Sequence, residues 1–282
     1  MSNQRIIVVT DSAAYIPAQA LDGLHVPVIP LWLLWDDDRY RDGVDIDPPT
    51  FYQRLRQSKT FPSSSQPSPG EFIEFFRQAS AEADAIVGVM VSSKLSGTLD
   101  NAQAAQAELP DLTIRLVDSL SVTMGQGFAV LAAARAAAAG KSLDEVVAAA
   151  ERVRDRIQLL LAVDTLEFLH RGGRIGGAKR FLGTALKLKP LLQFQDGAIE
   201  PLTQVRTKRK AVARMLDVVE ERLDGQPMAE VAVADVDTPA EGDAIAQQVK
   251  ERFGVSTVYR TTVSPVVGTH AGPGTVCVTY YT

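Results

Sequence analysis

Three short apolar segments constrain the first half of this chain most strongly. Each one ends in hydroxyl or carboxylate side chains and is followed by a segment with helical periodicity. They are residues 6–9 before Thr10-Asp11-Ser12, residues 85–91 before Ser92-Ser93, and residues 113–117 before Asp118-Ser119. Such short apolar runs indicate strands buried on both faces, as in parallel sheets covered by helices. The repeated order of strand, loop and helix therefore predicts a mostly parallel sheet flanked by helices.

The second half has a different pattern. Residues 190–194 and 199–205 flank Asp196-Gly197, which predicts a hairpin with a tight turn. Further expected elements are helices over 165–169, 178–187 and 207–223, and strands over 231–234, 255–261 and 275–281. This mixture predicts a mixed or antiparallel sheet with helices. We therefore expect two α/β domains, residues 1–160 and 161–282.

Local signals refine this outline. Residues 26–34 predict one strand, at a sheet edge because it contains two prolines. Residues 58–69, rich in Ser and Pro, predict a loop. Three helix starts carry the spacing of a capping box, namely Ser68 with Glu71, Ser142 with Glu145, and Thr238 with Glu241.

Charge and composition exclude several protein classes. A net charge of −5 argues against a general nucleic-acid binder, which needs a basic surface. The single cysteine, Cys277, excludes an internal disulfide framework, and three histidines leave little for a metal site. Residues 1–5 are polar, and the longest membrane candidate, residues 26–35, is far shorter than the roughly 20 residues a span needs. We expect a cytoplasmic protein.

Two hydroxyl-rich segments are candidates for binding an anion. Ser96-Gly97-Thr98 follows a predicted strand and begins a helix, where free backbone N–H groups favour negative charge. Residues 63–68 hold four serines in the predicted loop. If both meet at the sheet's edge, they form a polar pocket where open α/β sheets bind ligands. The alternative is that they only cap helices and contact solvent.

Each of the other candidate polar residues can have either a functional or a purely structural role. Asp11 and Asp118 can act as bases, or they can fix turns at strand ends. Arg174, beside Gly172-Gly173, can bind a carboxylate, or it can interact favourably with the dipole at a helix C-terminus. His270 lies in a glycine-rich segment predicted to be a loop. The basic cluster Arg206, Lys208, Arg209 and Lys210 can form a docking patch or an ordinary solvated helix start.

Taken together, the motifs resemble the DegV family, which includes the FakB fatty-acid-binding subunits of bacterial fatty acid kinase. The resemblance covers nearly the whole chain and depends on the order and spacing of individually weak motifs. These are Val9-Thr10-Asp11-Ser12, Ser64-Ser65-Gln66-Pro67-Ser68, Ser92-Ser93-Lys94-Leu95-Ser96-Gly97-Thr98, Val117-Asp118-Ser119, Thr165-Leu166-Glu167-Phe168-Leu169, Gly172-Gly173-Arg174-Ile175, Lys189-Pro190 and Gly268-Thr269-His270-Ala271-Gly272-Pro273-Gly274.

The resemblance implies that one long-chain fatty acid lies between two α/β domains. Its carboxylate would be bound by Ser64, Ser96 and His270, with support from Ser65, Gly97, Thr98 and Arg174. Where the family usually has Thr-Ser-Gln-Pro, this chain has Ser64-Ser65-Gln66-Pro67, which keeps the hydroxyl and loses a methyl group that restricts its rotamer.

The resemblance also implies partners. A separate fatty acid kinase would supply ATP and Mg²⁺ and could dock at Arg206, Lys208 and Arg209. This chain would then be a monomer without metal, cofactor or catalytic activity. The main alternative is a hydrolase or phosphotransferase that uses Ser96 and His270 with Asp11 or Asp118, because triads are recognised by geometry rather than order. A DNA-binding regulator is disfavoured by the acidic composition.

Overall fold

The computed structural model describes residues 4–183 and 188–282. The strands are β1 Ile6–Asp11, β2 Val28–Ile29, β3 Trp32–Trp35, β4 Asp38–Arg41, β5 Ser63–Ser65, β6 Ala85–Met90, β7 Ile114–Asp118, β8 Gln158–Ala162, β9 Lys189–Gln195, β10 Ala198–Val205, β11 Glu230–Asp235, β12 Tyr259–Thr262 and β13 Val276–Tyr281. The helices are α1 Ala18–Leu21, α2 Pro48–Gln57, α3 Pro69–Ser80, α4 Thr98–Ala107, α5 Met124–Ala138, α6 Leu143–Arg154, α7 Glu167–Arg171, α8 Lys208–Leu223, α9 Pro239–Phe253 and α10 Pro265–Ala271.

These strands form two large sheets and one small one. A parallel sheet has the order β2-β1-β6-β7, and a mixed six-stranded sheet has the order β10-β9-β8-β13-β11-β12. In the mixed sheet only β11 and β12 pair in parallel. The small antiparallel sheet has the order β4-β3-β5. The expected fold class, a parallel sheet followed by a mixed one, is confirmed. The division of the chain into two domains at residue 160, which lies within β8, stays a prediction.

Both large sheets are covered by apolar helix faces. One face of the parallel sheet packs against α3 and α4, and the other packs against α5 and α6. The outer face of the six-stranded sheet packs against α8 and α9. Its inner face carries Leu159, Leu161, Leu192 and Cys277, and it packs against β3, α2, α7 and α10. This last interface joins the two halves of the chain and contains the candidate site.

Several local predictions are confirmed. Ser68 with Glu71 and Ser142 with Glu145 form complete capping boxes at α3 and α6. The β9–β10 hairpin turns at Asp196-Gly197, where both residues have positive φ. This conformation is typical of the type I′ turn, whose twist matches that of the strands.

Two predictions in the first half are wrong for the same reason. The expected single strand over residues 26–34 is two strands in different sheets: β2 at the edge of the parallel sheet and β3 in the centre of the small one, with Pro30 between them. The expected loop over residues 58–69 contains β5, whose Ser64 pairs with Leu33 of β3. Pairing with a distant strand provides the hydrogen bonds for a segment with little strand propensity of its own.

Four predictions in the second half are also corrected. His270 lies on α10 rather than in a loop, since Ser264 caps this helix and Pro265 occupies its first position. Thr238 makes no side-chain cap; instead its backbone N–H donates to Asp235. The strand expected over residues 255–261 is β12, at Tyr259–Thr262. Of the helix expected over residues 178–187, the part at 184–187 lies outside the described residues, and Gly176–Phe181 forms a 3-10 turn.

Candidate functional site

A narrow cavity, the slot, lies between the inner face of the six-stranded sheet and the first half of the chain. It encloses about 850 Å³ of atom-free space when its opening is counted, but the centre of a water molecule can reach only about 90 Å³ of it. Most lining residues are apolar, namely Ala13, Leu31, Val91, Leu95, Val122, Leu159, Leu161, Leu169, Phe194, Ile199, Val263, Val266, Val267, Ala271 and Cys277. A slot this narrow suits one slender apolar chain better than a compact ligand.

The structure brings the three expected carboxylate-binding residues to the wall of this slot. Ser64 on β5, Ser96 before α4, and His270 on α10 all line it. Ser64 Oγ lies 2.7 Å from His270 Nε2, a hydrogen bond between residues 206 positions apart in sequence. The bond depends on β5, the strand that local propensity did not predict.

Ser96 belongs to a second polar group on the same wall. Its Oγ lies 2.8 Å from Thr98 Oγ1 and accepts a hydrogen bond from the backbone N–H of Thr98. A Cβ at Gly97 would lie 3.0 Å from Gln66 Nε2, so the Ser96 loop sits directly beside the segment that follows β5. The two hydroxyl-rich segments therefore lie side by side.

Arg174 connects these groups through backbone carbonyls. Its Nε donates to Leu95 O at 2.9 Å, and its Nη1 donates to Gly172 O at 2.7 Å. Gly172 packs so closely on the imidazole of His270 that a Cβ there would lie 2.1 Å from His270 Nδ1. Among the lining residues that the structure describes, Arg174 is the only one with a charged side chain. The polar wall thus carries one positive charge and no carboxylate.

The imidazole of His270 is neutral at physiological pH. Burial, reinforced by the charge of Arg174, lowers the pKa of His270 to about 4. Its Nδ1 is shielded from solvent and has no hydrogen-bond partner among the described residues. The remaining nitrogen, Nε2, contacts Ser64, so the ring and the hydroxyl act as one hydrogen-bonding unit.

Helix α10 is held in place by buried groups from the first half of the chain. Asp42 accepts a hydrogen bond from the backbone N–H of Val266 at 3.2 Å and another from the hydroxyl of Ser12 at 2.7 Å. Tyr52 donates to Val263 O at 2.9 Å. A Cβ at Gly268 would lie 2.2 Å from Tyr52 Oη, so only glycine permits this approach. These contacts determine where His270 lies.

Sequence reasoning did not identify Asp42, Tyr52 or Thr123. Asp42 belongs to an acidic run with no distinguishing pattern, and nothing in its spacing points to α10. Thr123 lines the slot with φ of 52°, a region that β-branched residues rarely adopt, and its Oγ1 has no partner among the described residues. The Ser264-Pro265 helix start was the one available signal that His270 lies on a helix.

The arrangement needed for the hydrolase or phosphotransferase alternative is not formed. The hydroxyl of Ser96 contacts Thr98 and not His270. Asp11 accepts hydrogen bonds from the backbone N–H groups of Ala13 and Val91. Asp118 accepts bonds from Ser93 and from Leu120. Both carboxylates therefore fix turns at strand ends and do not orient the imidazole.

The three residues expected to dock a kinase differ in exposure. Arg206 and Arg209 are exposed at the start of α8. Lys208 is only 18% exposed and faces Asp164 at 3.6 Å and Glu241 at 3.8 Å. It also donates to Gly274 O. Lys208 thus connects α8 to the loop before β13, which leaves Arg206 and Arg209 free to meet a partner.

None of the helices within residues 4–183 and 188–282 is long and apolar enough to cross a membrane. No group of three or more metal-ligating side chains is clustered there.

Known proteins similar to this chain share one family. A sequence model described as "Uncharacterised protein, DegV family" matches residues 5–282. The DegV domain-containing protein SCO2569 of Streptomyces coelicolor is 38% identical over 274 residues, which are 96% of this chain and 96% of that protein. Protein DegV of Bacillus subtilis is 31% identical over 271 residues, 95% and 96% of the two chains.

Two solved structures share the fold over essentially the full length. A DegV-family protein from Thermus thermophilus, described for its fatty acid binding, superposes with a TM-score of 0.91 at 36% identity and covers 99% of both chains. DegV from Bacillus subtilis, described as a fatty acid binding protein, superposes with a TM-score of 0.90 at 30% identity, covering 99% of this chain and 100% of that one.

Replacing Asp42 tests how α10 is anchored. Burial raises the pKa of Asp42 from 3.8 to about 6, so folding favours its protonated form. Its contribution to stability is therefore full below about pH 4 and is lost as the pH rises through about 6. Between pH 4 and pH 7, the free energy of unfolding should shift by roughly 3 kcal/mol in favour of Asp42→Asn over wild type.

Urea titrations across this pH range measure the shift. The matched control is Asp45→Asn, because the guanidinium of Arg41 lowers the pKa of Asp45 to about 2 and reverses the sign of its pH dependence. A difference between wild type and Asp42→Asn that does not change with pH would show that Asp42 is not held as a costly buried acid.

Proposed function

Because the chain belongs to the DegV family, we propose that it binds one long-chain fatty acid in the slot, with the carboxylate at Ser64, Ser96 and His270. The observation that carries the proposal is the slot itself, which is narrow and apolar and has hydroxyls, an imidazole and one guanidinium on its wall. The fatty-acid binding described for the proteins from Thermus thermophilus and Bacillus subtilis supports the same ligand.

The tail would supply most of the affinity. A palmitoyl-length tail has about 14 methylenes, each worth roughly 0.8 kcal/mol on leaving water, so the upper bound is about 11 kcal/mol before the costs of binding. The apolar lining makes no directional contacts. It would therefore select a ligand by the length and shape of its tail rather than by its functional groups.

The head group would supply orientation. A carboxylate that leaves water must be hydrogen-bonded, because an unpaired buried charge is very costly. With the proton of His270 on Nε2, the imidazole donates to Ser64 Oγ and leaves the hydroxyl proton of Ser64 free for a carboxylate oxygen. Ser96 offers a second hydroxyl, and the nearby charge of Arg174 favours an anion. No metal is needed for this binding mode.

A second component of the proposal is that this chain acts without catalysis of its own and presents the acid to a separate acyl kinase. The head group would lie beside Ser96 and Arg174, which are only partly buried, so a partner could reach it. Such a kinase would supply ATP and Mg²⁺. Arg206 and Arg209 are exposed cations that suit an acidic surface on that partner.

Three substitutions test the head-group site. Ser64→Ala, Ser96→Ala and His270→Gln each remove one hydrogen-bonding group, and we expect fatty-acid affinity to fall roughly 5- to 150-fold, equivalent to about 1 to 3 kcal/mol. Displacement of a fluorescent fatty acid from delipidated protein measures the affinity. Ser63→Ala is the control, since Ser63 is exposed on the same strand and outside the slot. Unchanged affinity in all three variants would remove these residues from the site.

A titration of His270 tests whether the carboxylate lies beside it. The lowered pKa of His270, about 4 in the free protein, should rise when a fatty acid is bound, because an adjacent anion stabilises imidazolium. Histidine NMR signals followed against pH, with His270→Gln for assignment, give the value. A long-chain alcohol with the same tail provides the control. An identical pKa with acid and alcohol would place the carboxylate elsewhere.

Charge reversal tests the docking surface. Arg206→Glu with Arg209→Glu should slow acyl-phosphate formation by the kinase at least several-fold and leave fatty-acid affinity unchanged, since neither residue lines the slot. Lys250→Glu, an exposed reversal on α9, is the control. Equal rates for the double variant and the control would reject this surface, and acyl phosphate made without the kinase would reject the non-catalytic role.

A further inference from the structure

One aromatic residue lines both the slot and a second cavity. Phe194 of β9 lines the slot, and it also lines a separate depression on the protein surface. No other residue in the described part of the chain lines both cavities. The ring therefore separates an apolar interior from an outer hollow whose walls include Arg154, Gln158 and Arg222.

Sheet register separates Phe194 from His270. The hydroxyl of Thr275 donates to Ala271 O at 2.9 Å, so the start of β13 lies next to His270. Leu159 of β8 pairs with Thr279, four residues further along β13. At about 3.3 Å per residue this separation is roughly 13 Å. Phe194 pairs with Ile199 of β10, and it lies beside Leu159 because the neighbouring residues Gln193 and Leu160 pair with each other.

Polar side chains line the outer hollow next to Phe194. Arg222 of α8 donates to Gln158 Oε1 on β8 at 2.7 Å and to Gln193 on β9. Phe194 follows Gln193 on β9, so these contacts lie next to its position in the sheet. An alkyl tail that displaced the ring would leave apolar surroundings and enter a hollow that contains two guanidinium groups. Each methylene beyond this point would thus lose the gain in free energy that burial provides.

We propose that Phe194 sets the longest acyl chain that this protein accommodates, by closing the slot at the end away from Ser64 and His270. This inference rests on the proposed fatty-acid binding and names the residue that determines its chain-length specificity. A smaller side chain at position 194 connects the slot to the surface hollow and lets longer tails pass, whereas a larger one shortens the slot.

The experiment compares length profiles. Dissociation constants for saturated fatty acids of about 12 to 22 carbons are measured by displacement of a fluorescent fatty acid from delipidated wild type, Phe194→Ala and Phe194→Trp. In wild type, affinity should increase by roughly fourfold per methylene up to a limit and then stop increasing. The limit should move to longer chains in Phe194→Ala and to shorter chains in Phe194→Trp.

Leu161→Ala is the matched control. Leu161 lines the slot on the neighbouring strand but does not line the outer hollow, so its truncation widens the slot without opening its end. It should therefore leave the length limit in place. A limit that moves equally in Leu161→Ala and Phe194→Ala would show that volume alone matters and would overturn the proposal.

The remaining outcomes separate this inference from the function it rests on. Wild type that binds no fatty acid of any length rejects the proposed function, and the role of Phe194 with it. Wild type that binds with a clear limit, which neither Phe194 variant moves, rejects only the role of Phe194. If circular dichroism shows that Phe194→Ala is unfolded, the Phe194→Trp variant alone tests the proposal. An unchanged length limit in Phe194→Trp then overturns it.

Discussion

The hydrogen bond between Ser64 and His270 is the interaction on which the candidate site depends. It joins β5, in the first half of the chain, to α10, near its end, across an interface whose core is apolar. In such surroundings an unpaired hydroxyl or ring nitrogen would cost about 1 to 3 kcal/mol. The two groups satisfy each other without a ligand, and the pair can still offer a proton to an incoming oxygen.

Maintaining this bond requires that α10 stay fixed against the first half. Asp42 does this by accepting a hydrogen bond from the backbone N–H of Val266, and Tyr52 does it by donating one to Val263 O. The arrangement is costly, because burial raises the pKa of Asp42, and that of Asp11 nearby, to about 6. These buried acids thus lower the free energy of unfolding near neutral pH. In return, Asp42 accepts hydrogen bonds from both Ser12 and Val266 and so connects the first half of the chain to α10.

The slot divides recognition between its two ends. Hydroxyls, an imidazole and one guanidinium at the polar wall would bind a carboxylate, and non-directional apolar contacts along the sheet would bind the tail. In our proposals Phe194 closes the far end. Head-group chemistry and chain length would then be selected by different residues, which lie at different ends of the slot.

The sequence by itself determined most strands and helices of the two large sheets, the parallel and mixed character of those sheets, and the hydroxyl-rich segments near Ser64 and Ser96. These features depend on apolar periodicity and helix caps, which act over a few residues. Only the tertiary structure decided that β5 is a strand, that Asp42 anchors α10, that Lys208 is engaged internally and that Phe194 lines both the slot and the surface hollow. Each of these depends on a partner far away in the chain, and local propensity carries no information about which distant groups folding brings together.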